Sequence, residues 1–446
     1  MQTQAPRPHS SSHTGPHTGP LPVIVIGAGQ AGLSMSWHLC RAGLAHLVLE
    51  RQRPGWSWRE ERWDSFHLVT PNWQCRLPGF AYAGDDPDGF MSGTEVAAYV
   101  EAFARSFAPP LRTGVVVSRL RPRGRGFELE TSDGTLTAAQ VVVATGGYHD
   151  AVRARGAGAL PGGIDELFAS TYRNPQSLQP GAVLVVGSGQ SGAQIAEELH
   201  AAGRIVHLAV GRAERVPRRY RGRDVVAWQE LMGAYELPVD RHPLGPAVRA
   251  RANPYVSGGG GGHDIDLRRL ARDGLRLHGS LVGLRDGRAV FASDLAANLD
   301  RADAACAQLK AGIDSFIDGA RLDAPAEDPG LDARPTPWTP EPGSEPLDLV
   351  AAGIRTVIWC TGFRPNWDWI EADVFDADGR PSHRRGVTRV GGLYFLGLPW
   401  LHRWGSGRLS GVGRDAGYLA GQITARNAIA DPPLAPGAGP TQAVGC

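Results

Sequence analysis

The chain has 446 residues, 42% hydrophobic and 20% charged, with a formal net charge of +1. That length can bury a large core and divide into two domains, while the near-neutral balance excludes a general electrostatic claim on nucleic acid or an anionic membrane. The five cysteines, Cys40, Cys75, Cys306, Cys360 and Cys446, form no C-x-x-C pair, which argues against a disulfide scaffold, a zinc site or a dithiol redox centre and suits a reducing cytoplasm.

In chain order, residues 1–20 are rich in Pro, Gly, Ser, Thr and His and lack the apolar core of a secretory signal. They are expected to be disordered. Nowhere does an apolar run approach the roughly 20 residues of a membrane span. "VIVIGAGQAG" (23–32) then predicts a buried strand, a tight turn and a helix. In such a G-x-G-x-x-G, Gly27 permits the turn and Gly29 lets a pyrophosphate approach the backbone. Gly32 lets helix and strand pack, and the helix start at Gln30 offers unpaired N–H groups to phosphate. The next strand ends at Glu50, where a carboxylate can accept hydrogen bonds from an adenosine ribose. "VTPNWQC" (69–75) carries Asn72, a candidate hydrogen-bond partner for a cofactor, although Asn after Pro is commonly a turn residue. A further apolar strand, "VVVATGGY" (141–148), closes on Ala144, Thr145 and Gly146.

The first motif then repeats. "VLVVGSGQSG" (183–192) lies 160 residues after it and aligns without a gap, placing Gly187, Gly189, Gln190, Ser191 and Gly192 in the same roles. The position matching Glu50 is Val210, which cannot bind a ribose hydroxyl; Arg212 follows, and a guanidinium suits a 2′-phosphate that a carboxylate would repel. The first cradle is therefore expected to take FAD and the second to prefer NADPH over NADH. The arginine run 212–223 reads as the phosphate site plus solvated surface. "PYVSGGGGGHD" (254–264) reads as a mobile loop, and 295–317 as an amphipathic helix packing Leu295, Leu299, Leu309, Ile313, Phe316 and Ile317. Trp228, Tyr235 and Trp367 read as core. "TVIWCTGF" (356–363) echoes 141–148 and supplies Thr361 and Gly362. "GLPWLHRWGSG" (397–407) contributes His402, Trp404 and Gly407.

The expected class is α/β, with two Rossmann-like dinucleotide-binding domains, one inserted in the other. The expected boundaries are 21–164 and 345–430 for the FAD domain, 165–344 for the NADP domain with a substrate-cap insertion, and 431–446 for a flexible tail.

These motifs resemble the class B flavin-dependent monooxygenases, over nearly all of residues 21–425. "SGQSGAQIAEELH", "RVPRRYRGRDV", "RARANPYV" and "GLYFLGLPW" are similar to a bacterial subgroup of FAD-dependent oxidoreductases. The resemblance implies that Gly27, Gly29, Gly32 and Glu50 bind FAD, that Trp58 lies beside the flavin, and that Gly187, Gly189, Gly192 and Arg212 bind NADPH. It implies that "GSGRLSGVGRDA" (405–416) starts a helix facing the isoalloxazine. One departure stands out: "ELFASTYRNP" (166–175) keeps Tyr172 but has Phe168 where the family has a histidine.

The activity implied is transfer of one oxygen atom from O2 to a small organic molecule through a flavin C4a-(hydro)peroxide, with Asn72, Tyr172, Trp400, His402 and Trp404 as candidates for the reaction site. Two alternatives stay open: a flavin reductase or oxidase without oxygen insertion, which Phe168 favours, and a non-catalytic NADPH-sensing flavoprotein. Neither metal, nucleic acid nor membrane is expected as a partner; the expected location is cytoplasmic, and homodimerisation is open.

Overall fold

A computed structural model describes residues 20–328, 335–341 and 345–430. The expectations for residues 1–19 and 431–446 lie outside the described residues.

Two sheets organise the described chain. The first has nine strands. Its centre is Leu21–Ile26, parallel to His46–Glu50 on one side and to Gly134–Val143 on the other. Leu393–Phe395 extends it beyond Gly134–Val143, again in parallel. The central strands read as unbroken apolar runs because both faces are covered. Val23 and Val25 pack under helices Gln30–Arg41 and Val412–Ala430, while Ile24 and Ile26 pack against a second cluster holding Leu120, Phe127 and Trp367.

The second sheet has five parallel strands in the order Asp165–Phe168, Ile354–Trp359, Ala182–Val186, Val206–Ala209, Arg276–His278. This corrects the expected boundary at 345. Ile354–Trp359 pairs with Ala182–Val186 and belongs to the inserted domain. Leu347–Asp348 also belongs there, in a small sheet with Leu281–Arg285 and Arg288–Phe291. The chain crosses back only at Phe363–Arg364, which pairs antiparallel with the outgoing Asp150–Ala151. The two crossings thus form one ribbon between the domains.

The long helix Leu295–Ala320 packs on the inserted domain through Leu299, Ile313 and Ile317, as its apolar stripe requires. The glycine run behaves differently from expectation. Its stretch Gly259–Gly261 is a short 3-10 turn. At Gly258 a Cβ would lie 1.9 Å from the Leu68 carbonyl oxygen of the first domain. Glycine there permits close backbone approach between domains, and a Cβ at Gly262 would stand 2.6 Å from the Phe90 ring, so the run is packed at its two ends while Gly260 and Gly261 are exposed.

Candidate active site

The two glycine turns are near-copies. Gly27 has φ +101° and Gly187 has φ +100°, and a Cβ at either would stand 2.7 Å from a carbonyl oxygen, that of Ala144 or Cys360. Only glycine is comfortable in that conformation and that space. The carbonyls come from the neighbouring strands, which is why each strand ends in a Thr-Gly corner: the Ala144 N–H donates to Ile26 O, the Cys360 N–H to Val186 O, both at 2.8 Å. At Gly32 and Gly192 a Cβ would sit 1.8 Å from the carbonyl oxygen of Gly27 and Gly187. Gly29 and Gly189 precede the helices Gln30–Arg41 and Gln190–Ala201 with nothing within 4 Å of an added Cβ and no side chain capping either helix. Both helix starts are therefore open to a phosphate.

The residues at the two expected ribose positions differ. Glu50 points back at its own turn, its carboxylate accepting from the Ala28 N–H at 2.7 Å and the Gln52 N–H at 2.8 Å. Two fixed donors hold the acid in place. Val210 is buried, and Arg212 is exposed with no hydrogen bond or ion pair to another described residue. Part of the arginine run corrects the expectation of a phosphate site plus solvated surface, while Arg219 and Arg223 are exposed as expected. Arg215 is buried and pairs with Asp303 at 2.7 Å. Arg218, also buried, pairs with Asp224 at 2.5 Å and donates to Val69 O of the first domain at 2.9 Å. Arg221 pairs with Asp314 at 2.8 Å. These three are structural cations; Arg212 is the one left facing solvent beside the second turn.

A cavity of about 930 Å³ starts at Gly27, Gly29 and Gln30 and passes Glu50, Trp58 and Ala144–Gly146 to reach Gly407. Gln30 reaches the end of that path, donating to Gly407 O at 3.3 Å. The inserted domain closes the far wall with Val216, Val225, Val226, Gln229 and Tyr235, and Gln190 alone of the second turn reaches it. Gln190 is held there by donation to Val256 O at 2.6 Å. Gly187, Gly189, Ser191, Gly192, Arg212, Thr361 and Gly362 surround the second turn and do not line this cavity. Gly32 is buried behind the first turn. Thr361 donates to Val152 O, and Gly362 O accepts from the Val152 N–H.

Of the five reaction-site candidates, only Trp404 lines the cavity. Asn72 is buried, with its amide donating to Asp86 O and accepting from the Met91 N–H, each at 2.9 Å. Both ends of the amide are spent on holding a loop. Tyr172 is buried in the inserted domain and donates to Glu198 at 2.9 Å; burial and that carboxylate push its phenol pKa up, away from proton transfer. His402 does not line the cavity, and burial together with Arg385 lowers its pKa. Trp400 stacks at 6.3 Å on Trp404 without lining the cavity. Trp228, Tyr235 and Trp367 are core residues as expected, and Tyr235 in addition lines the cavity and stacks on Trp404 at 4.7 Å. Sequence reasoning also missed Arg408, although it directly follows Gly407; its guanidinium lies 4.5 Å from the Trp404 ring centroid.

The segment around the missing histidine is a clamp. Arg173 donates to Arg62 O at 3.2 Å and to Glu60 O, and Asn174 donates to Asp64 at 2.6 Å, stitching the inserted domain to the first. Phe168 packs into the inserted domain's core beside Trp359. The four described cysteines are free, and burial pushes the Cys75 and Cys360 thiols up to about 12, so neither is a ready thiolate.

Fold and twin turns together define an oxidoreductase with two dinucleotide-binding domains. The pyridine nucleotide-disulphide oxidoreductase family pattern matches residues 24–227. The protein named uncharacterized oxidoreductase CzcO-like, from Geobacillus kaustophilus, is 32% identical over 404 residues, 90% of this chain and 97% of that one. The chain belongs to this CzcO-like oxidoreductase family. A flavin-containing monooxygenase from Stenotrophomonas maltophilia shares the fold, with a TM-score of 0.62 and 21% identity over 92% of this chain and 99% of that chain. The probable indole-3-pyruvate monooxygenase YUCCA1 from Arabidopsis thaliana is 31% identical over 209 residues, 45% of this chain and 49% of that protein. No described helix is long and apolar enough to cross a membrane.

Proposed function

We propose that the protein is an FAD-dependent, NADPH-using monooxygenase acting on a small organic molecule. The observation that carries this reading is the pair of near-identical phosphate cradles with unlike ribose-facing residues, Glu50 at one and Val210 with Arg212 at the other. The residues fit the groups. Open space over Gly29 and Gly189 leaves room for a diphosphate at each helix start, and the first cradle continues into a cavity of about 930 Å³ that Gln190 of the second also lines. Glu50, held by two N–H donors, would fix the FAD ribose, with Trp58 and Ala144–Gly146 beside it and Gly407 at the far end. Arg212 would hold the 2′-phosphate of NADPH. FAD, when bound, supplies hydride acceptance and the activation of O2.

The chain's own contribution is placement and dryness. Val216, Val225, Val226, Tyr235 and Trp404 line the cavity opposite the first cradle, and an apolar wall there keeps water from a reactive oxygenating site. Clamping of the two domains by Arg173 and Asn174, and by Arg218 to Val69 O, holds that wall against the cradle. Phe168, the departure that favours the reductase or oxidase reading, packs in the inserted domain's core and does not line the cavity.

The test is stopped-flow mixing of the NADPH-reduced protein with O2. A long-lived absorbance distinct from both oxidised and reduced flavin is expected. Direct reoxidation with stoichiometric hydrogen peroxide would favour the oxidase reading.

A further inference from the structure

We infer that the inserted-domain end of the large cavity selects an apolar carboxylic acid as substrate and rejects ammonium compounds, with Arg408 as the specificity-determining residue. The inference rests on reading this cavity as the reaction site.

Arg408 lies on the cavity lining with Trp404 and Tyr235. Its guanidinium carbon is 4.5 Å from the Trp404 ring centroid and 5.5 Å from that of Tyr235, two rings that are themselves stacked with an interplanar angle of 12°. The aromatic faces hold the cation in position, but they do not neutralise it. No carboxylate pairs with Arg408 among the described residues. Its charged neighbours are satisfied elsewhere: Arg403 and Arg414 share Glu236, and Arg76 takes Glu230.

The carboxylates that line the same cavity lie on other elements. Glu50 is held by two backbone N–H groups, Glu61 faces Arg51 at 3.7 Å, Asp150 faces Arg364 at 3.7 Å, and Asp368 is exposed. The wall around Arg408 is otherwise apolar or neutral, made by Val216, Val225, Val226 and Gln229. A half-buried arginine beside apolar side chains strengthens attraction to an anion, because less water screens it, and raises the cost of bringing a second cation close. Arginine also offers paired donors that match the geometry of a carboxylate. Valine methyls and ring edges then suit an apolar body attached to that carboxylate.

The experiment uses isothermal titration calorimetry on the full-length purified protein with three probes of similar shape and different charge: 3-phenylpropionate, 3-phenylpropionamide and phenethylamine. At pH 7 the carboxylate should bind at least tenfold more tightly than the amide, and the amine more weakly than either. Arg408→Gln should erase the preference for the carboxylate, while Arg408→Lys should keep most of it, with the melting temperature and flavin content of each variant checked alongside. Equal affinity for carboxylate and amide, no measurable binding of any probe, or a preference unchanged in Arg408→Gln would each overturn the inference. So would a tenfold loss of NADP affinity in Arg408→Gln with the probe preference intact, since the arginine would then serve the nucleotide. Failure of the flavin reading is separately visible as colourless protein that takes up no FAD, whatever the probes do.

Discussion

Adding one methyl group at each of the two innermost glycines separates the two cradles. At Gly32 or Gly192 a Cβ would stand 1.8 Å from the carbonyl oxygen of Gly27 or Gly187, so turn and helix must part by more than an ångström in either variant. Overpacking of that kind costs about 1–3 kcal/mol, and it also turns the helix-start N–H groups away from the phosphates. Losing a single hydrogen bond to a charged group costs about 1.5–3 kcal/mol, equivalent to roughly a 10- to 100-fold loss of affinity. The identical geometry predicts equal structural damage; the distinct ligands predict different phenotypes. Gly32→Ala should purify with little flavin, read from its visible spectrum and FAD-to-protein ratio. Gly192→Ala should stay yellow and reducible by dithionite, yet need at least tenfold more NADPH for the same anaerobic reduction rate. Thermal melts would check that both are folded. Loss of flavin from Gly192→Ala with flavin retained in Gly32→Ala would refute the assignment of the cradles.

Two further outcomes follow from the packing. Arg218→Ala leaves Asp224 without its cation and removes a bond from the inserted domain to Val69 O; a loss of about 3–5 kcal/mol in urea unfolding is expected, and a loss below 1 kcal/mol would contradict the interdomain role. His207 and His278 are stacked, 2.8 Å apart between Nδ1 and Nε2, and burial lowers their pKa values to about 3 and about 4. Both lie below the unfolded value near 6.5, so in this window the unfolded chain binds more protons. Their stabilisation is complete above pH 6.5 and is lost as the pH falls from 6.5 towards 4, with a slope approaching about 1.4 kcal/mol per pH unit for each histidine. Unfolding of wild type and of a His207→Leu, His278→Phe double variant at pH 7, 6 and 5 measures it; a double variant with the same pH dependence as wild type would contradict the assignment.

Much of the fold was legible because its signals are local. The strand–turn–helix around Gly27 and Gly187 needs only the apolar run, the glycines and the helix start, all within ten residues of sequence. The places of Glu50 and Arg212, at and just beyond the strand that follows each turn, were readable by counting from those turns. Pairing was not local: 356–363 resembles 141–148 in composition, and nothing within it says that Ile354–Trp359 will lie beside Ala182–Val186 in the inserted domain. The paired arginines were hidden for the same reason, since Arg215 meets Asp303 and Arg221 meets Asp314 across nearly a hundred residues. Tyr172 and Asn72 looked available as polar side chains, but their partners, Glu198, Asp86 and Met91, become visible only when the chain is folded. Arg408 had a readable cue in its position next to Gly407, while Tyr235 gained its place on the cavity only through its stack on Trp404.

The most direct measurement is anaerobic flavin reduction by NADPH and by NADH in the wild type and in Arg212→Ala. On the proposal that the second cradle takes a 2′-phosphate, NADPH should be at least tenfold more efficient than NADH in the wild type, and the advantage should vanish in the variant while the protein stays yellow. Equal use of both coenzymes, unchanged by the substitution, would contradict the division of labour between the two cradles.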